Sequence, residues 1–298
     1  MPAYLRSALV IFCLGFVGWA MTGCGPAAQT AFPIAIQPAP TTTATIVPTF
    51  TPTASPAANP FPTLLHSPDS GWQALRPGLE RRVIGIFDNQ GLWSESLYIL
   101  RLDASQFRFD ISYDPTGKLL ETWQAETGAL IVVNGGYFRE QNGQFFPTGL
   151  TVVNNQVMGT SYEGFGGMFA VTAHGPELRW LPQQPYVPGE PLLAALQSFP
   201  VLVKPGGVLG FPQEYEDNLQ ARRTVIAQDR TGRILFMVAN QGIFTLHQLS
   251  VTLTNSDLNL NIALNLDGGP SSGILLAEPR EEIPAFNYLP IVITVYAR

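Results

Sequence analysis

A succession of short apolar segments, separated by turn residues, constrains the fold of this chain more than any other feature. The sequence contains 28 glycines and 26 prolines, and only 13% of its residues are charged. Such a composition favours short strands and many turns over long helices. We therefore predict strands at residues 96–102, 107–113, 130–133, 150–153, 167–172, 201–204, 224–228, 234–238, 262–266, 273–276 and 291–296.

Two segments favour helices instead. Residues 119–126 are one candidate, and residues 245–257 are the stronger one, with Thr245 as the residue that caps the helix. Turn residues between apolar runs, at 154–155 and 230–232, predict β-hairpins. The predicted fold class is therefore α+β: a β-rich single domain with mixed or antiparallel sheets and a few helices.

The amino terminus has the layout of a secretory signal. Arg6 precedes an apolar run at 8–21, and the small residues Thr22-Gly23 precede Cys24. This arrangement resembles a bacterial lipoprotein signal, which implies removal of residues 1–23, a lipid on Cys24 and a membrane anchor on the extracytoplasmic face of the cell envelope. The alternative is an uncleaved anchor, but the run is shorter than the roughly 20 residues that span a bilayer.

Composition divides the rest of the chain. Residues 24–63 are rich in proline and threonine with almost no charge, which predicts a disordered tether. Residues 64–298 are predicted to fold as one domain. The two cysteines, Cys13 and Cys24, precede that domain, which excludes disulfides and thiolate metal ligands from it. The net charge of −6 and the absence of a basic run argue against nucleic acid as a partner.

One stretch, N-I-A-L-N-L-D-G-G-P-S-S at 261–272, places a carboxylate at the end of a predicted buried strand. The alternating apolar residues of the strand lead directly to Asp267. The glycines and proline that follow predict a tight turn, and two serines add hydroxyl groups. For an isolated turn of this kind, the simplest interpretation is an aspartate that caps its own backbone.

Three further polar stretches follow predicted strands or begin them. Paired glycines follow Asn134 in the stretch at 131–139, where they allow a close approach of the backbone. Arg222 and Arg223 begin the strand at 224–228, and alternation predicts one arginine on each face, one directed inward at an anion and the other solvated. The last stretch, at 199–207, is interpreted as a strand and a turn.

In this order, the motifs resemble the phosphodiester glycosidase family over about residues 132–296. The resemblance is carried by N-G-G-Y-F at 134–138, the P-x-L-V-type segment at 200–203, A-R-R-T at 221–224 and L-N-L-D-G-G-P-S-S at 264–272. The chain departs from the family pattern at Ala227, at Pro270 and at Leu289-Pro290, where the family commonly has glycine, glycine and an arginine.

The resemblance implies hydrolysis of a sugar-1-phosphodiester, with a carbohydrate phosphodiester as substrate. Asp267 is then the catalytic carboxylate, and Arg223 is the group that holds the phosphate. Glu163 and Glu140 are candidates for a second carboxylate. No cofactor is implied, although a calcium ion near Asp267 stays open. The implied substrate-binding residues are Asn134, Gly135, Gly268, Gly269, Ser271 and Ser272.

Two other functions fit parts of the sequence. A non-catalytic envelope module would hold a glycan or exopolysaccharide, using Trp93, Trp123 and Trp180 as stacking surfaces. A serine hydrolase is suggested by the G-x-S-x-G pattern at 269–273. However, no histidine follows Ser271, so the order of the catalytic triad is not met. The spacing of the histidines does not favour a zinc site.

Overall fold

The computed structural model describes residues 69–298 except residues 89 and 163. The predicted signal, lipidated Cys24 and tether at 24–63 lie outside the described residues, as does Glu163. Within the described part of the chain, no helix is long and apolar enough to cross a membrane.

Twenty strands and two α-helices make up the described fold. The strands of the first half are β1 (Gln73–Arg76), β2 (Leu79–Phe87), β3 (Trp93–Leu102), β4 (Phe107–Lys118), β5 (Ile131–Asn134), β6 (Phe138–Gln141), β7 (Gln144–Pro147), β8 (Thr151–Val153), β9 (Gln156–Met158) and β10 (Gly167–Thr172). Those of the second half are β11 (Gly175–Trp180), β12 (Ala194–Ser198), β13 (Val201–Lys204), β14 (Val208–Leu209), β15 (Arg223–Asp229), β16 (Ile234–Ala239), β17 (Leu260–Asn265), β18 (Ile274–Leu276), β19 (Glu281–Ile283) and β20 (Leu289–Ala297). The helices are α1 (Leu120–Thr127) and α2 (Leu246–Thr254), and the short 3₁₀ turns are Gln213–Tyr215 and Gly269–Ser271.

The strands form four sheets, and every strand pairing in the described residues is antiparallel. An eight-stranded sheet has the order β1-β2-β3-β16-β15-β17-β13-β14. Two five-stranded sheets have the orders β11-β10-β12-β8-β9 and β19-β18-β5-β20-β4, and β6 and β7 form a hairpin. The fold is therefore mainly β, with purely antiparallel pairing instead of mixed sheets.

The three large sheets share one hydrophobic core. Alternate residues of β17, Ile262 and Leu264, point into it together with Leu266, as the sequence pattern predicted. The opposite face of the eight-stranded sheet is covered by α2, with Leu249 and Leu253 packed on it. Helix α1 covers the outer face of the sheet that contains β5. The end of β17 is thus held rigidly between buried layers.

The predicted strands are all confirmed, with ends shifted by a few residues. Both helices are also confirmed, and Thr245 caps α2 by accepting from the amide of Gln248. The hairpin at Asn154-Asn155 is confirmed, with both residues at positive φ. The pattern missed several strands: β1, β2, β6, β7, β11, β12, β14 and β19. In β12 the sequence A-A-L-Q-S has no β-branched residue, and pairing with β10 and β8 together with complete burial decides that strand.

Candidate active site

The candidate site begins where β17 ends, because Asp267 follows that strand by two residues. The amide of Leu266 donates to the carbonyl of Thr224 at 2.8 Å, which extends the pairing with β15. The next amide, that of Asp267, turns to the carbonyl of Gly135 at 3.1 Å. Asp267 is therefore fixed at the meeting point of two sheets, since β15 belongs to the eight-stranded sheet and Gly135 follows β5.

The two glycines after Asp267 are needed for different reasons. A Cβ at Gly268 would lie 3.0 Å from the carbonyl oxygen of Arg222, so only a glycine fits there without displacement. Gly269 has φ +58°, in the left-handed region that residues with a Cβ seldom adopt. The chain reverses here in a 3₁₀ turn that includes Pro270.

The amides of this turn are all engaged within the protein. Gly268 donates to the Asp267 carboxylate at 2.9 Å, and Gly269 donates to the carbonyl of Arg222 at 2.8 Å. Ser271 and Ser272 donate their amides back to the turn's own carbonyls at 3.2 Å. The amides of Gly268 and Gly269, two residues predicted to bind substrate, therefore already have partners within the protein, and the turn supports Asp267.

The Asp267 carboxyl group lies in a poorly solvated position. Burial raises its pKa to about 6, although hydrogen bonds from the Ser271 hydroxyl and the Gly268 amide oppose that rise. Ser271, predicted to contact substrate, is buried and bonds to the carboxyl instead. The group is poised to change its charge near neutral pH, which suits proton transfer.

Asn134 lies behind Asp267 and not at the surface of the site. Its side chain is only 1% exposed. The amide nitrogen donates to the carbonyl of Asp267 at 2.8 Å, while the oxygen accepts from the Thr224 hydroxyl at 2.7 Å and the Gly273 amide at 3.0 Å. The side-chain oxygen of Asn134 thus accepts two hydrogen bonds, and its nitrogen is bonded to Asp267. Asn134 therefore positions Asp267, and this arrangement does not support the predicted contact of Asn134 with substrate.

Gly135 and Ser272 also serve the framework. A Cβ on Gly135 would lie 2.7 Å from Cγ2 of Ile291, so the glycine allows the chain after β5 to pack against β20. Ser272 is fully buried, and its hydroxyl has no hydrogen-bond partner among the described residues. Neither residue is exposed to a ligand, although the sequence predicted both as substrate contacts.

Arg223 is a buried cation without a carboxylate partner. It is 6% exposed. Its Nε donates to the carbonyl of Phe244 at 3.1 Å, and Nη2 donates to the carbonyl of Leu219 at 2.5 Å. No salt bridge to Arg223 exists among the described residues. Burial lowers the pKa of Arg223, and the charges of Tyr137, Asp217 and Glu216 oppose that shift. A buried, unpaired guanidinium is stabilised by an anionic ligand.

The two adjacent arginines occupy different environments, as alternation predicted. Arg222 is partly exposed and lies 4.3 Å above the ring of Phe286. Its Nη2 donates to the carbonyl of Pro284 at 2.9 Å. Arg223 is the arginine directed inward. Its Nη1 lies near the backbone of Gly268, since a Cβ built on that glycine would be 3.9 Å from Nη1.

Tyr137 connects the carboxylate and the guanidinium, a role that the sequence analysis did not assign. Its hydroxyl donates to the carbonyl of Phe199 at 3.0 Å and accepts from the Asn265 amide at 2.9 Å. Burial, together with the charge of Asp267, raises the pKa of Tyr137 to about 12, while the charge of Arg223 opposes the rise. The three groups therefore share one electrostatic environment. Tyr137 belongs to the N-G-G-Y-F motif, so the motif contains the evidence for this residue, whereas the sequence analysis considers only the glycines of the motif.

Glu95 is a second residue that the sequence analysis missed. This carboxylate is fully buried on β3 and accepts from the amides of Gln241 at 2.9 Å and Gly242 at 3.0 Å. The loop that it holds leads to Phe244, whose carbonyl accepts from Arg223. Glu95 is thus a positioning residue for the guanidinium, acting through the loop.

A cleft of about 400 Å³ opens beside Arg223. Asp217, in its wall, precedes by two residues the Leu219 carbonyl that holds Arg223. On the other side, the Phe199 carbonyl accepts from Tyr137. Of the three tryptophans predicted as stacking surfaces, Trp180 lies in this wall. Trp123 is a buried residue of α1, and Trp93 is exposed at the start of β3.

The remaining candidates are placed as follows. Glu140 is exposed on the β6–β7 hairpin and makes no side-chain hydrogen bond or ion pair with the described residues of the site. Within the described residues, no group of three or more His, Cys, Asp or Glu side chains is arranged to hold a metal, and the calcium alternative stays a prediction. Ser271 is followed by β18 and not by the helix that a nucleophile elbow needs, which disfavours a serine hydrolase.

Comparison with known proteins identifies the family and a similar fold. The chain's fold is similar to that of the zebrafish N-acetylglucosamine-1-phosphodiester alpha-N-acetylglucosaminidase catalytic domain auto-inhibited by its pro-peptide, with a TM-score of 0.57 and 19% identity over 76% of this chain and 86% of that one. A hypothetical protein from Synechocystis gives a TM-score of 0.49 and 14% identity over 74% and 62% of the two chains. No curated protein matches the sequence. Residues 127–290 match the phosphodiester glycosidase family, and this range contains all four motifs. The chain therefore belongs to the phosphodiester glycosidase family.

Proposed function

We propose that this protein hydrolyses the bond between the anomeric carbon of a sugar and a phosphodiester oxygen. One observation carries the proposal: a carboxyl group with a pKa of about 6, Asp267, shares its surroundings with Arg223, a buried guanidinium that has no ion pair with any described residue. A phosphodiester supplies the missing anion, and the carboxylate supplies proton transfer. Membership of the family agrees with this chemistry.

The proposed mechanism assigns one task to each group. The oxygen of a water molecule bonds to the anomeric carbon, and the bond to the phosphate oxygen breaks, with its electron pair leaving on the phosphate monoester. That leaving group has a second pKa near about 6, so it departs without a full proton from the protein. Arg223 stabilises the departing charge. Ionised Asp267 accepts the proton of the attacking water and releases it to solvent.

This mechanism predicts how activity depends on pH. Because the base must be ionised, kcat/KM should fall as the pH drops through about 6, the pKa of Asp267. Asp267→Asn keeps the shape of the side chain and removes its basicity, so kcat should fall by on the order of 10²-fold or more. The matched control is Asp110→Asn, since Asp110 pairs with Arg108 on β4 and belongs to no part of the site.

The experiment measures release of sugar from a sugar-1-phosphodiester such as UDP-N-acetylglucosamine, in water labelled with ¹⁸O. Attack at carbon places the label in the sugar, whereas attack at phosphorus places it in the phosphate. Label in the phosphate, or full activity of Asp267→Asn, would refute the mechanism. Tight glycan binding with no sugar release from any phosphodiester would favour the non-catalytic envelope module instead.

The proposed setting is the bacterial cell envelope, with the folded part tethered to a membrane through lipid on Cys24. This part of the proposal is supported by the sequence alone: an apolar run, a small-residue cleavage site and a proline-rich segment. A tether of that composition favours extended conformations and would hold the site away from the membrane surface.

A further inference from the structure

The cleft beside Arg223 has a mainly apolar lining. Its wall carries four aromatic residues. Three of their rings form a series, in which Phe199 lies 6.2 Å from Phe211 and Phe211 lies 6.3 Å from Tyr215; Trp180 is the fourth aromatic residue of the wall. Phe199 and Tyr215 are 41% and 67% exposed, respectively. An exposed, concave aromatic surface of this kind is typical of a binding site for an apolar group.

The cleft lies close to the proposed phosphate site, since Asp217 lines the cleft and its charge raises the pKa of Arg223. The two carbonyls that hold Arg223 belong to Leu219 and Phe244. Each lies two residues from the cleft wall, which contains Asp217 on one side and Leu246 on the other. The cleft is therefore within reach of a substituent on a phosphate held by Arg223.

The described part of the cleft wall presents few polar side chains. Among the described residues, the charged side chains of the wall are Lys204 and Asp217. The ammonium group of Lys204 lies 5.3 Å from the centre of the Trp180 ring. A sugar ring needs hydrogen-bond partners for several hydroxyls, since a buried hydroxyl left unpaired weakens binding. A hydrocarbon chain needs none.

We propose that the cleft binds the alcohol-derived group on the far side of the phosphodiester, and that this group is apolar, an alkyl or isoprenoid chain. The proposal rests on the proposed hydrolysis of a sugar-1-phosphodiester and specifies its substrate class. Each buried CH₂ group increases affinity by roughly 4-fold, so a few of them give a measurable preference.

The test compares two esters of one sugar-1-phosphate, methyl and decyl, both below the concentration at which the decyl ester forms micelles. We expect kcat/KM to be at least about 10-fold higher for the decyl ester. Tyr215→Ala should reduce this ratio to below about 3, because it removes a ring of the cleft. Tyr288→Ala is the matched control: its ring is 59% exposed, it lies against Gly117 outside the cleft, and the ratio should be kept.

A ratio near one in the unaltered protein would overturn the proposal, as would a preference for an ester of a sugar alcohol over the decyl ester. An unchanged ratio in Tyr215→Ala would overturn it too. Calorimetric binding of decyl phosphate and methyl phosphate separates this proposal from the hydrolysis itself. If no ester is hydrolysed but decyl phosphate binds at least about 10-fold tighter and Tyr215→Ala removes the difference, the apolar cleft is supported and the hydrolysis is refuted.

Discussion

The side-chain amide of Asn134 donates to the main-chain carbonyl of Asp267 at 2.8 Å. The two residues are 133 positions apart and belong to the ends of strands in different sheets. One buried amide therefore ties the carboxylate to β5 and, through the Thr224 hydroxyl, to β15. The orientation of Asp267 depends on this bond and not only on its own turn.

Asn134→Ala should destabilise the fold by about 2–4 kcal/mol, because it leaves the Asp267 carbonyl, the Thr224 hydroxyl and the Gly273 amide without a partner in a buried place. Urea unfolding measures the loss. Thr224→Val, which breaks only one of these bonds, should cost about 1–2 kcal/mol. A double variant whose loss equals the sum of the two would show that the network is not coupled as the structure indicates.

Asp267→Asn should stabilise the protein near neutral pH, although it removes activity. Burial raises the pKa of Asp267 to about 6, so ionisation of this group opposes folding above that pH. The unfolded group has a pKa near about 3.9. The variant should therefore be more stable by on the order of 1–3 kcal/mol above pH 6, and the gain should disappear below about pH 4. Thermal unfolding of both proteins across this range checks the sign, and a gain that increases toward acid would contradict it.

Arg223→Lys should lower kcat/KM for phosphodiesters more than kcat/KM for neutral glycosides. Lysine keeps the charge but loses the planar fork that fits two phosphate oxygens, and kcat/KM for phosphodiesters should fall by about 10- to 100-fold. Arg222→Lys, at the adjacent and partly exposed position, is the control and should have a smaller effect. Equal losses in the two variants would remove Arg223 from its proposed role.

Glu95→Gln should affect catalysis through Arg223. The glutamine side chain would place an NH₂ donor where the backbone N–H groups of Gln241 and Gly242 need an acceptor. The loop that carries Phe244 should therefore loosen. We expect KM for phosphodiesters to rise by about 3- to 10-fold with a smaller change in kcat, since binding of the phosphate is what suffers. Ile99→Val, a buried change on the same strand that costs about 0.5–1.5 kcal/mol, controls for stability. A matching rise in KM in that control would mean that Glu95 acts only on stability.

Cys24 should carry lipid at the amino terminus of the mature chain. The apolar run at 8–21 is short of a bilayer span and ends at small residues, a layout that favours cleavage. Mass spectrometry of the mature terminus should show loss of residues 1–23 and an acylated cysteine. An intact chain beginning at Met1, or unchanged membrane partitioning of Cys24→Ser, would contradict the prediction.

Local sequence determined those features whose physics is local. Alternation placed Ile262 and Leu264 in the core and Asp267 just beyond the strand, because side chains of a strand alternate between its faces. Thr245 was recognisable as a helix cap, and Asn154-Asn155 as a turn, because each choice depends on the backbone of a few adjacent residues. The order of the four motifs likewise identified the family.

Only the tertiary structure decided which of these residues form the site and which support it. Asn134, Gly135 and Ser272 are buried framework residues, because their surroundings come from strands far away in the sequence. The pKa of Asp267 and the unpaired state of Arg223 follow from burial, which is set by how the sheets pack. Glu95 gave no local signal, since its role depends on a loop about 146 residues further along the chain. Desolvation and long-range hydrogen bonds are properties of the assembled sheets, and no short stretch of sequence contains them.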